Sequence, residues 1–369
     1  MAFDLRKQMK NYVPAVMEDK KICIYGMGEI WDTVRRMYMN LAKIDLACQA
    51  DFLVDKNPVK HGRIIGGKKV CTPEEITWED CVVFITSHLY RGEIADSLFK
   101  RGLRSGYNFY EPVYLSWILY EYLLAPSIAL KGRHSREKCF IVGCGPSLTP
   151  EDLDKLHEHR VTSFAPNQIY KIFNKTKWRP SYYVASDLYA ISNYEVINRR
   201  INCPKFMNLS SAMTMESFNI ENAYFFVSND MPFNLIRLAT PEVGTHIYDI
   251  NTGGASTFIC IQLALYLGFS EIYLLGVDNA FSASKMNDGE LILKEDGGHF
   301  VNTKDYFSDF TTYYLGDGIF DEVYIQQVNL AFKSAADYAA KHGVTIRNAS
   351  RAGTIDALIH VDFDNILKG

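Results

Sequence analysis

The sequence lacks any stretch of about 18 uncharged apolar residues, the minimum for a membrane-spanning helix. Its first residues, MAFDLRKQMKNYVP, also lack the apolar core of a signal peptide. It contains no run of like charges, and its formal net charge is -4. The basic surface typical of a nucleic-acid-binding protein is therefore not expected. These absences predict a cytoplasmic protein that binds neither DNA nor RNA.

The 8 cysteines include no C-x-x-C pair, the spacing common in zinc and redox sites. Four of them lie in apolar segments such as ICIY, CVVFI and CFIV: Cys23, Cys81, Cys139 and Cys260. Small apolar thiols in such segments are usually buried and unreactive. We therefore expect free cysteines rather than disulfides.

Composition and pattern predict two α/β domains. Apolar residues make up 48% of the 369 residues and charged residues 22%, as in ordinary globular proteins. The chain exceeds the about 100 to 200 residues of one typical domain. Apolar strands alternate with helical segments along most of the chain, which predicts parallel strands joined by crossovers. The expected fold is two Rossmann-like domains with mainly parallel sheets.

The predicted boundaries are a small Rossmann-like domain over 1–110, a linker over 111–137 and a nucleotide-binding domain over 138–369. In the first domain, a loop rich in Gly, Lys and Pro separates the strands ADFLVD and CVVFITS. The linker contains the aromatic segment VYLSWILYEYLLAPSIAL, which predicts a helix broken at Pro126. Packing between domains is the favoured role of this helix. Peripheral membrane contact and a homo-oligomer interface are the alternatives.

The segment GMGEIW, from Gly26 to Trp31, follows the first strand as a dinucleotide-binding turn would. Gly26 and Gly28 match that fingerprint, but Trp31 stands where Gly or Ala permits helix–sheet packing. Asp55 ends the second strand, near the place of a ribose-binding acid, although DKNP is also an ordinary turn sequence. The favoured interpretation is a Rossmann-like domain without a bound cofactor.

A stronger candidate is the segment FIVGCGPSL over residues 140–148. An apolar strand ends in Gly143 and Gly145, which would allow the backbone to approach a ligand closely. Ser147 or Thr149 can cap the helix that follows, and free N–H groups at a helix start favour a phosphate. An ordinary strand–turn–helix corner is the alternative.

Polar or glycine-rich segments follow the other predicted strands of the second domain. They are Asn167 and Gln168 after TSFAP, Asp187 after YYVAS, NTGGAS before a long apolar helix, and Gly276 to Asp278 after EIYLL. The carboxyl ends of parallel strands lie at one edge of a sheet, where ligands bind. These segments therefore predict a single ligand-binding edge.

The ordered set GCGPSL, PNQIY, NTGGAS and GFSEIYLLGVD resembles the bacterial sialyltransferases that use CMP-sialic acid. It is also similar to the MptE-like group of archaeal 6-hydroxymethylpterin pyrophosphokinase and the flagellin-modifying motility accessory factors. The resemblance covers residues 138–350 and implies nucleotide-binding roles for Gly143, Gly145, Pro146, Ser147, Asn167, Thr252 and Gly253. The adjoining Cys144, Gln168, Asp187 and Gly254 complete the predicted nucleotide site.

The resemblance also implies two catalytic residues. Asp278 would lie at the donor sugar, and His299 is the candidate for the base that deprotonates the acceptor hydroxyl. An unperturbed histidine pKa of about 6.5 suits that task. His299 stands a few residues earlier than the family histidine, so a purely structural loop histidine is the alternative. The tyrosines that assist the leaving group in those enzymes have no counterpart here, where Phe281 follows instead.

The predicted function is a glycosyltransferase of surface-glycan or polysaccharide biosynthesis. Its donor would be a CMP-linked acidic sugar, its acceptor a glycan, and it would require no cofactor. A small Rossmann-like domain ahead of the nucleotide domain is also similar to modules of bacterial glycan-assembly proteins.

Two other functions remain open. At the position of Asp187, the pterin pyrophosphokinase group carries Asp, whereas the sialyltransferases carry Asn. Asp187 and Asp278 could then hold Mg2+ during diphosphoryl transfer from ATP. A non-catalytic assembly factor that binds a nucleotide is the third hypothesis.

Overall fold

The computed structural model describes residues 3–14, 17–145, 147–229, 242–278, 322–351 and 355–368, with only the backbone at 322–325. The chain divides into two compact units. The first comprises Met1–Ala125 and Glu216–Asn219, and the second comprises Pro126–Met215 and Ile220–Gly369. The division falls inside the segment predicted as a linker.

The first unit contains a 6-stranded sheet. Its strands are β1 (Lys21–Tyr25), β2 (Phe52–Val54), β3 (Ile64–Ile65), β4 (Lys68–Cys71), β5 (Cys81–Ile85) and β6 (Phe109–Tyr110). They lie in the order β3-β4-β2-β1-β5-β6, and all pairs are parallel except the β3–β4 hairpin. The central strand β5 is buried throughout, as its unbroken apolar sequence CVVFI requires.

Helices flank the strands of this unit. They are α1 (Leu5–Met9), α2 (Glu29–Met37), α3 (Leu46–Gln49), α4 (Arg91–Lys100) and most of α5 (Pro112–Ile128). Helix α2 continues as a π-helical turn over Tyr38–Ala42 and ends at Lys43, whose φ is 60°. The prediction that α5 breaks at Pro126 is wrong, because α5 continues to Ile128. Pro126 lies in the last turn of the helix, so the loss of its N–H donor and the crowding of the preceding turn affect only the end of the helix.

The second unit contains a 7-stranded sheet. Its strands are β7 (Lys138–Val142), β8 (Ser163–Pro166), β9 (Tyr182–Ala185), β10 (Lys205–Asn208), β11 (Ala223–Phe226), β12 (Glu271–Leu275) and β13 (Thr345–Asn348). All pairs are parallel, in the order β11-β10-β9-β8-β7-β12-β13. The described helices are α6 (Pro150–Glu158), α7 (Leu188–Ser192), α8 (Tyr194–Arg200), α9 (Leu209–Met213), α10 (Ser256–Leu267), α11 (Glu322–His342) and α12 (Phe363–Lys368).

The strand order of the second unit reverses between β7 and β12. Strands β8 to β11 extend the sheet on one side of β7, and β12 and β13 extend it on the other. In parallel α/β sheets, ligands bind outside the carboxyl ends of the strands at such a reversal. The two sheets confirm the predicted fold class and direct attention to the ends of β7 and β12.

Four cysteines and the apolar helix α10 are buried in the interior of the protein. Cys23, Cys81, Cys139 and Cys260 are buried free thiols, as predicted. Helix α10 is apolar around its whole circumference and is almost entirely buried against the second sheet. Within the described part of the chain, no helix has both the length and the apolar character needed to cross a membrane.

Candidate functional site

The Gly-rich turn after β7 packs directly against the turn after β12. Gly143 N donates to Leu275 O at 2.8 Å, and Gly145 N donates to Gly276 O at 2.7 Å. A Cβ atom on Gly143 would lie 2.5 Å from Gly276 O, and one on Gly145 would collide with the Asp278 carboxylate. Glycine is therefore required at both positions by the contact between the turns.

Asp278 fastens the Gly-rich turn. Its carboxylate is buried, with the residue 3% exposed, and Oδ2 accepts from Ser147 N at 2.8 Å. The Ser147 hydroxyl donates to the other oxygen, Oδ1. Because both carboxylate oxygens face Ser147, the structure gives Asp278 an anchoring role. The predicted role at the donor sugar stays a prediction.

Asn167 and Gln168 lie at the carboxyl end of β8, next to β7. The Asn167 backbone has a φ of 52°, a left-handed conformation that asparagine tolerates better than most residues. Tyr183 Oη donates to Asn167 O at 2.7 Å, and Asn167 Nδ2 donates to Ser256 Oγ at 3.0 Å. The second bond connects the end of β8 to the first residue of α10.

The two side chains share an unusual feature. Asn167 Oδ1 and Gln168 Oε1 are both buried, and neither has a hydrogen-bond partner in the described residues. A buried polar atom left unpaired costs about 1–3 kcal/mol. Two such atoms on consecutive residues, at the carboxyl edge of the sheet, fit the N–H or O–H donors of a ligand.

The turn from Asn251 to Ser256 prepares the start of α10. Gly253 and Gly254 have φ values of 53° and 77°, and a Cβ atom on Gly253 would lie 2.7 Å from Ala331 Cβ. Thr252 O accepts from Ala255 N at 3.0 Å. Ala255 provides no side-chain cap, so the first N–H groups of the helix lack an acceptor within the helix. Such N–H groups and the helix dipole favour an anion.

Gln262 holds this turn in place, although sequence reasoning missed it. Its side chain is 0% exposed, and Oε1 accepts from Asn251 N at 2.9 Å and Gly244 N at 2.8 Å. Its Nε2 donates to Asn251 O at 2.7 Å. The signal was a lone polar residue within TFICIQLALYL. A buried polar side chain inside an apolar helix needs partners, and here it finds them in the turn.

Asp187 caps the helix after β9. Its carboxylate accepts from Ala190 N at 2.7 Å at the start of α7. Burial raises the pKa of this carboxyl above its usual value, although hydrogen bonds from the Ala190 and Tyr189 N–H groups oppose the shift. The predicted Mg2+ pair would use two carboxylates that already accept hydrogen bonds, Asp187 from Ala190 N of its own turn and Asp278 from Ser147 of the Gly-rich turn. The described residues contain no group of three or more His, Cys, Asp or Glu side chains arranged to hold a metal.

Cys144 lies between the two glycines of the turn. Burial raises the pKa of its thiol to about 12, while the Lys171 ammonium opposes the shift. The thiol is therefore protonated at neutral pH and is a poor nucleophile.

Further polar residues extend the same edge beyond β9. Asn208 Nδ2 donates to Ser228 Oγ at 2.7 Å, and Ser211 Oγ donates to Ser186 O at 2.9 Å. These contacts connect the ends of β9, β10 and β11. Sequence reasoning missed them, although KFMN ends in an asparagine just as the segment after β8 begins with one. Pro146 and His299, both predicted site residues, lie outside the described residues.

In the first unit, the carboxylate of Asp55 after β2 is engaged by groups of the protein itself. Asp55 Oδ2 accepts from Met27 N at 2.7 Å and from Lys60 Nζ at 3.0 Å, while Oδ1 accepts from Asn57 N at 2.8 Å. These are the oxygens that would bind a ribose in a dinucleotide-binding domain. Trp31, at the third glycine position, is 1% exposed. Asp55 and Trp31 therefore have structural roles here.

Comparison with known proteins finds a family model that matches part of the chain. Residues 120–284 match the family model described as 6-hydroxymethylpterin diphosphokinase MptE-like. The match includes the Gly-rich turn, the end of β8, the start of α10 and Asp278. The resemblance to the MptE-like group is confirmed over these residues.

One solved structure and the curated proteins complete the comparison. The structure is that of the MAf glycosyltransferase from Magnetospirillum magneticum AMB-1, with 13% sequence identity and a TM-score of 0.40. The similarity covers 76% of this chain and 48% of that chain, so this chain spans about half its length. None of the curated proteins matches the sequence.

Proposed function

We propose that the second unit binds the nucleotide of an activated sugar and transfers that sugar to a hydroxyl group of a glycan. The donor favoured by the resemblance is a CMP-linked acidic sugar. The observation that carries the proposal is the pair of buried, unpartnered oxygens, Asn167 Oδ1 and Gln168 Oε1. They suit the amino group of a base or the hydroxyls of a ribose, which are hydrogen-bond donors.

A phosphate site next to these oxygens supports a nucleotide in particular. The Asn167 amide donates to Ser256 Oγ at 3.0 Å, so the unpartnered oxygens and the start of α10 are joined by one hydrogen bond. A ligand with donor groups at one end and a phosphate at the other fits both features. A nucleoside monophosphate has that arrangement.

The proposed reaction has a simple balance. The acceptor hydroxyl attacks the anomeric carbon of the donor sugar, the bond from that carbon to the phosphate oxygen breaks, and the nucleotide leaves with the electron pair. A general base removes the hydroxyl proton, the task assigned to His299 by hypothesis. N–H groups at the start of α10 would stabilise the charge that develops on the leaving phosphate.

The carboxylates of the edge favour departure of the nucleotide without a metal ion. An Mg2+ site for a pyrophosphate requires carboxylate oxygens directed at the ligand. Both oxygens of Asp278 accept from Ser147, and Asp187 accepts from Ala190 N. Because both carboxylates already serve as acceptors for these turns, the proposed reaction uses no metal ion.

A second candidate is ATP-dependent diphosphoryl transfer to a pterin-like alcohol. The family description of residues 120–284 favours it, and so does the presence of aspartate at the end of β9. This function would require Asp187 and Asp278 to turn toward a bound metal.

The test is a thermal-shift panel of CMP, CDP, UDP, GDP, AMP and ATP, each with and without Mg2+. A ligand present at roughly 100 times its Kd stabilises the folded state by about 2.7 kcal/mol, which the panel detects. The site variants are Asn167→Gly and Gln168→Ala. Glycine at 167 accepts the positive φ and removes only the side chain. Asn222→Gly is the matched control, because Asn222 has a φ of 54° and lies in an exposed turn before β11.

The proposal expects CMP or CDP to stabilise the wild type and the Asn222 variant without metal, and to lose this effect in both site variants. Stabilisation by ATP or AMP with Mg2+ alone, abolished by Asp187→Asn, would replace it with the diphosphokinase function. Nucleotide binding without turnover of any CMP-linked sugar, together with unchanged behaviour of His299→Ala, would favour a non-catalytic assembly factor.

A further inference from the structure

A recess in the surface of the second unit is lined by five residues, four of which carry a hydrogen-bond donor in the side chain. Its volume is about 270 Å3, and it lies between the turn Asn167–Ile172 and α8. The lining residues are Tyr170, Lys171, Asn174, Val196 and Arg200. A water molecule occupies about 30 Å3 of liquid, so the recess could hold a phosphate or one ring of a sugar.

The charged residues that line the recess are all positive. Lys171 and Arg200 are both exposed, and no acidic residue belongs to the lining. Within the described residues, neither cation has a carboxylate within 4.0 Å. Two cations in one small concavity repel each other, and an anion placed between them removes that repulsion.

The other polar groups of the recess suit the same ligand. Burial raises the pKa of Tyr170 to about 12, with smaller contributions from Tyr189 and Cys144, so its hydroxyl keeps its proton at neutral pH. That hydroxyl and the Asn174 amide can both donate to an oxygen atom. An ammonium, a guanidinium, an amide and a hydroxyl together suit a phosphate or carboxylate better than a neutral molecule.

The recess lies beside the edge of the sheet at which the nucleotide is proposed to bind. Tyr170 belongs to the same turn as Asn167 and Gln168. The Lys171 ammonium lies near enough to the Cys144 thiol of the Gly-rich turn to affect its ionisation. A ligand in the recess would therefore lie beside the nucleotide site without using Asn167 Oδ1 or Gln168 Oε1.

We propose that the recess formed by Tyr170, Lys171, Asn174 and Arg200 binds an oxyanion, and that in the reaction this oxyanion is a phosphate or carboxylate of the acceptor. The binding of an oxyanion follows from the recess alone. Its assignment to the acceptor rests on the proposed function.

The experiment measures the affinity of the full-length protein for inorganic phosphate and for glucuronate by calorimetric titration at constant ionic strength. Glucose is the neutral control. Each titration is repeated with CMP present, because phosphate could also bind at the start of α10. The test variant is Lys171→Ala/Arg200→Ala. The matched control is Lys175→Ala/Arg199→Ala, which removes two neighbouring exposed cations that do not line the recess.

Phosphate or glucuronate should bind the wild type and the control variant, with or without CMP. The recess variant should bind about tenfold more weakly or worse, as expected for the loss of two charge-assisted contacts. Phosphate binding alone would identify a phosphorylated acceptor, and glucuronate binding alone would identify an acidic sugar. The Lys171→Arg variant, which keeps the charge, should retain binding.

Equal weakening in the recess and control variants would overturn the proposal, because the effect would then come from general surface charge. Absence of binding of either anion to the wild type would also overturn it. CMP affinity separates this proposal from the proposed function. If the oxyanion binds but CMP does not, the recess stands and the CMP-dependent transferase does not.

Discussion

Replacement of Asp278 distinguishes an anchoring residue from a catalytic one. The Asp278 carboxylate is 3% exposed and accepts two hydrogen bonds from Ser147. A hydrogen bond to a charged group contributes about 1.5–3 kcal/mol, so Asp278→Ala should destabilise the second unit by about 3 kcal/mol or more. For a unit of this size, a loss of about 3 kcal/mol lowers the Tm by roughly 6–12 °C.

Two companion variants separate the contributions of the individual hydrogen bonds to this loss of stability. Ser147→Ala removes the hydroxyl donor but leaves the N–H bond, so we expect about half of the effect. Asp278→Asn retains the shape of the side chain and one acceptor oxygen, and its loss should also be intermediate. Differential scanning calorimetry measures all three, with Asp249→Asn, a change at an exposed turn, as the control.

The anchoring role would be refuted by an Asp278→Ala variant that unfolds at the wild-type temperature. If such a variant still bound CMP but had lost sugar transfer, the carboxylate would act at the donor sugar. If it unfolds early and loses CMP binding as well, the anchored Gly-rich turn is part of the nucleotide site.

Two further predictions concern ionisable residues at other positions of the second unit. Burial raises the pKa of the Asp187 carboxyl in the folded state; the stability that this shift provides is present below the unfolded pKa of about 3.9 and is lost as the pH rises through the folded value. Asp187→Asn should therefore remove this fall of stability with rising pH in urea titrations, and a variant with the wild-type pH dependence would contradict the shift. Arg351 donates to both oxygens of Asp152, whose side chain is 1% exposed. Arg351→Ala should lower the free energy of unfolding, measured in urea, by about 2 kcal/mol, because it leaves the buried Asp152 carboxylate without its cation. This value lies between those for exposed and buried ion pairs. The control is Lys333→Ala, which breaks the exposed pair with Asp337 and should have little effect.

The fold was largely predictable because its strands are short, apolar and regularly separated by helices. KICIYG, CVVFITS and CFIVG are continuous apolar segments, which strands covered on both faces require. The glycine-rich segments after β7 and before α10 lie at the carboxyl edge of the sheet, because parallel strands bring their carboxyl ends together.

One strand pair was missed for a local reason. The loop predicted between ADFLVD and CVVFITS contains the antiparallel pair β3–β4, which turns at Gly66 and Gly67. Both glycines have positive φ, 55° and 78°, as a tight hairpin turn requires. The pair Gly-Gly was a hairpin signal that the short flanking strands made easy to overlook.

The arrangement of side chains within the edge was not predictable. The bonds from Ser147 to Asp278 and from Asn167 to Ser256 join residues far apart in sequence, and no local pattern specifies them. The sequence places Asp278 after its strand, but whether its carboxylate faces a ligand or a neighbouring turn depends on tertiary packing. Gln262 differed from the apolar residues around it, but its partners Asn251 and Gly244 could not be read from the sequence.

The contact between the turns after β7 and β12 also limits where a ligand can bind at this edge of the sheet. The hydrogen bonds from Gly143 N to Leu275 O and from Gly145 N to Gly276 O continue the backbone pairing of β7 and β12 into the turns that follow these strands. No atom of a ligand can enter between backbones held at hydrogen-bonding distance. The space directly between the two turns is thus closed to a ligand. The unpartnered oxygens of Asn167 and Gln168 lie on the other side of β7, at the end of β8, and the proposed nucleotide would bind there.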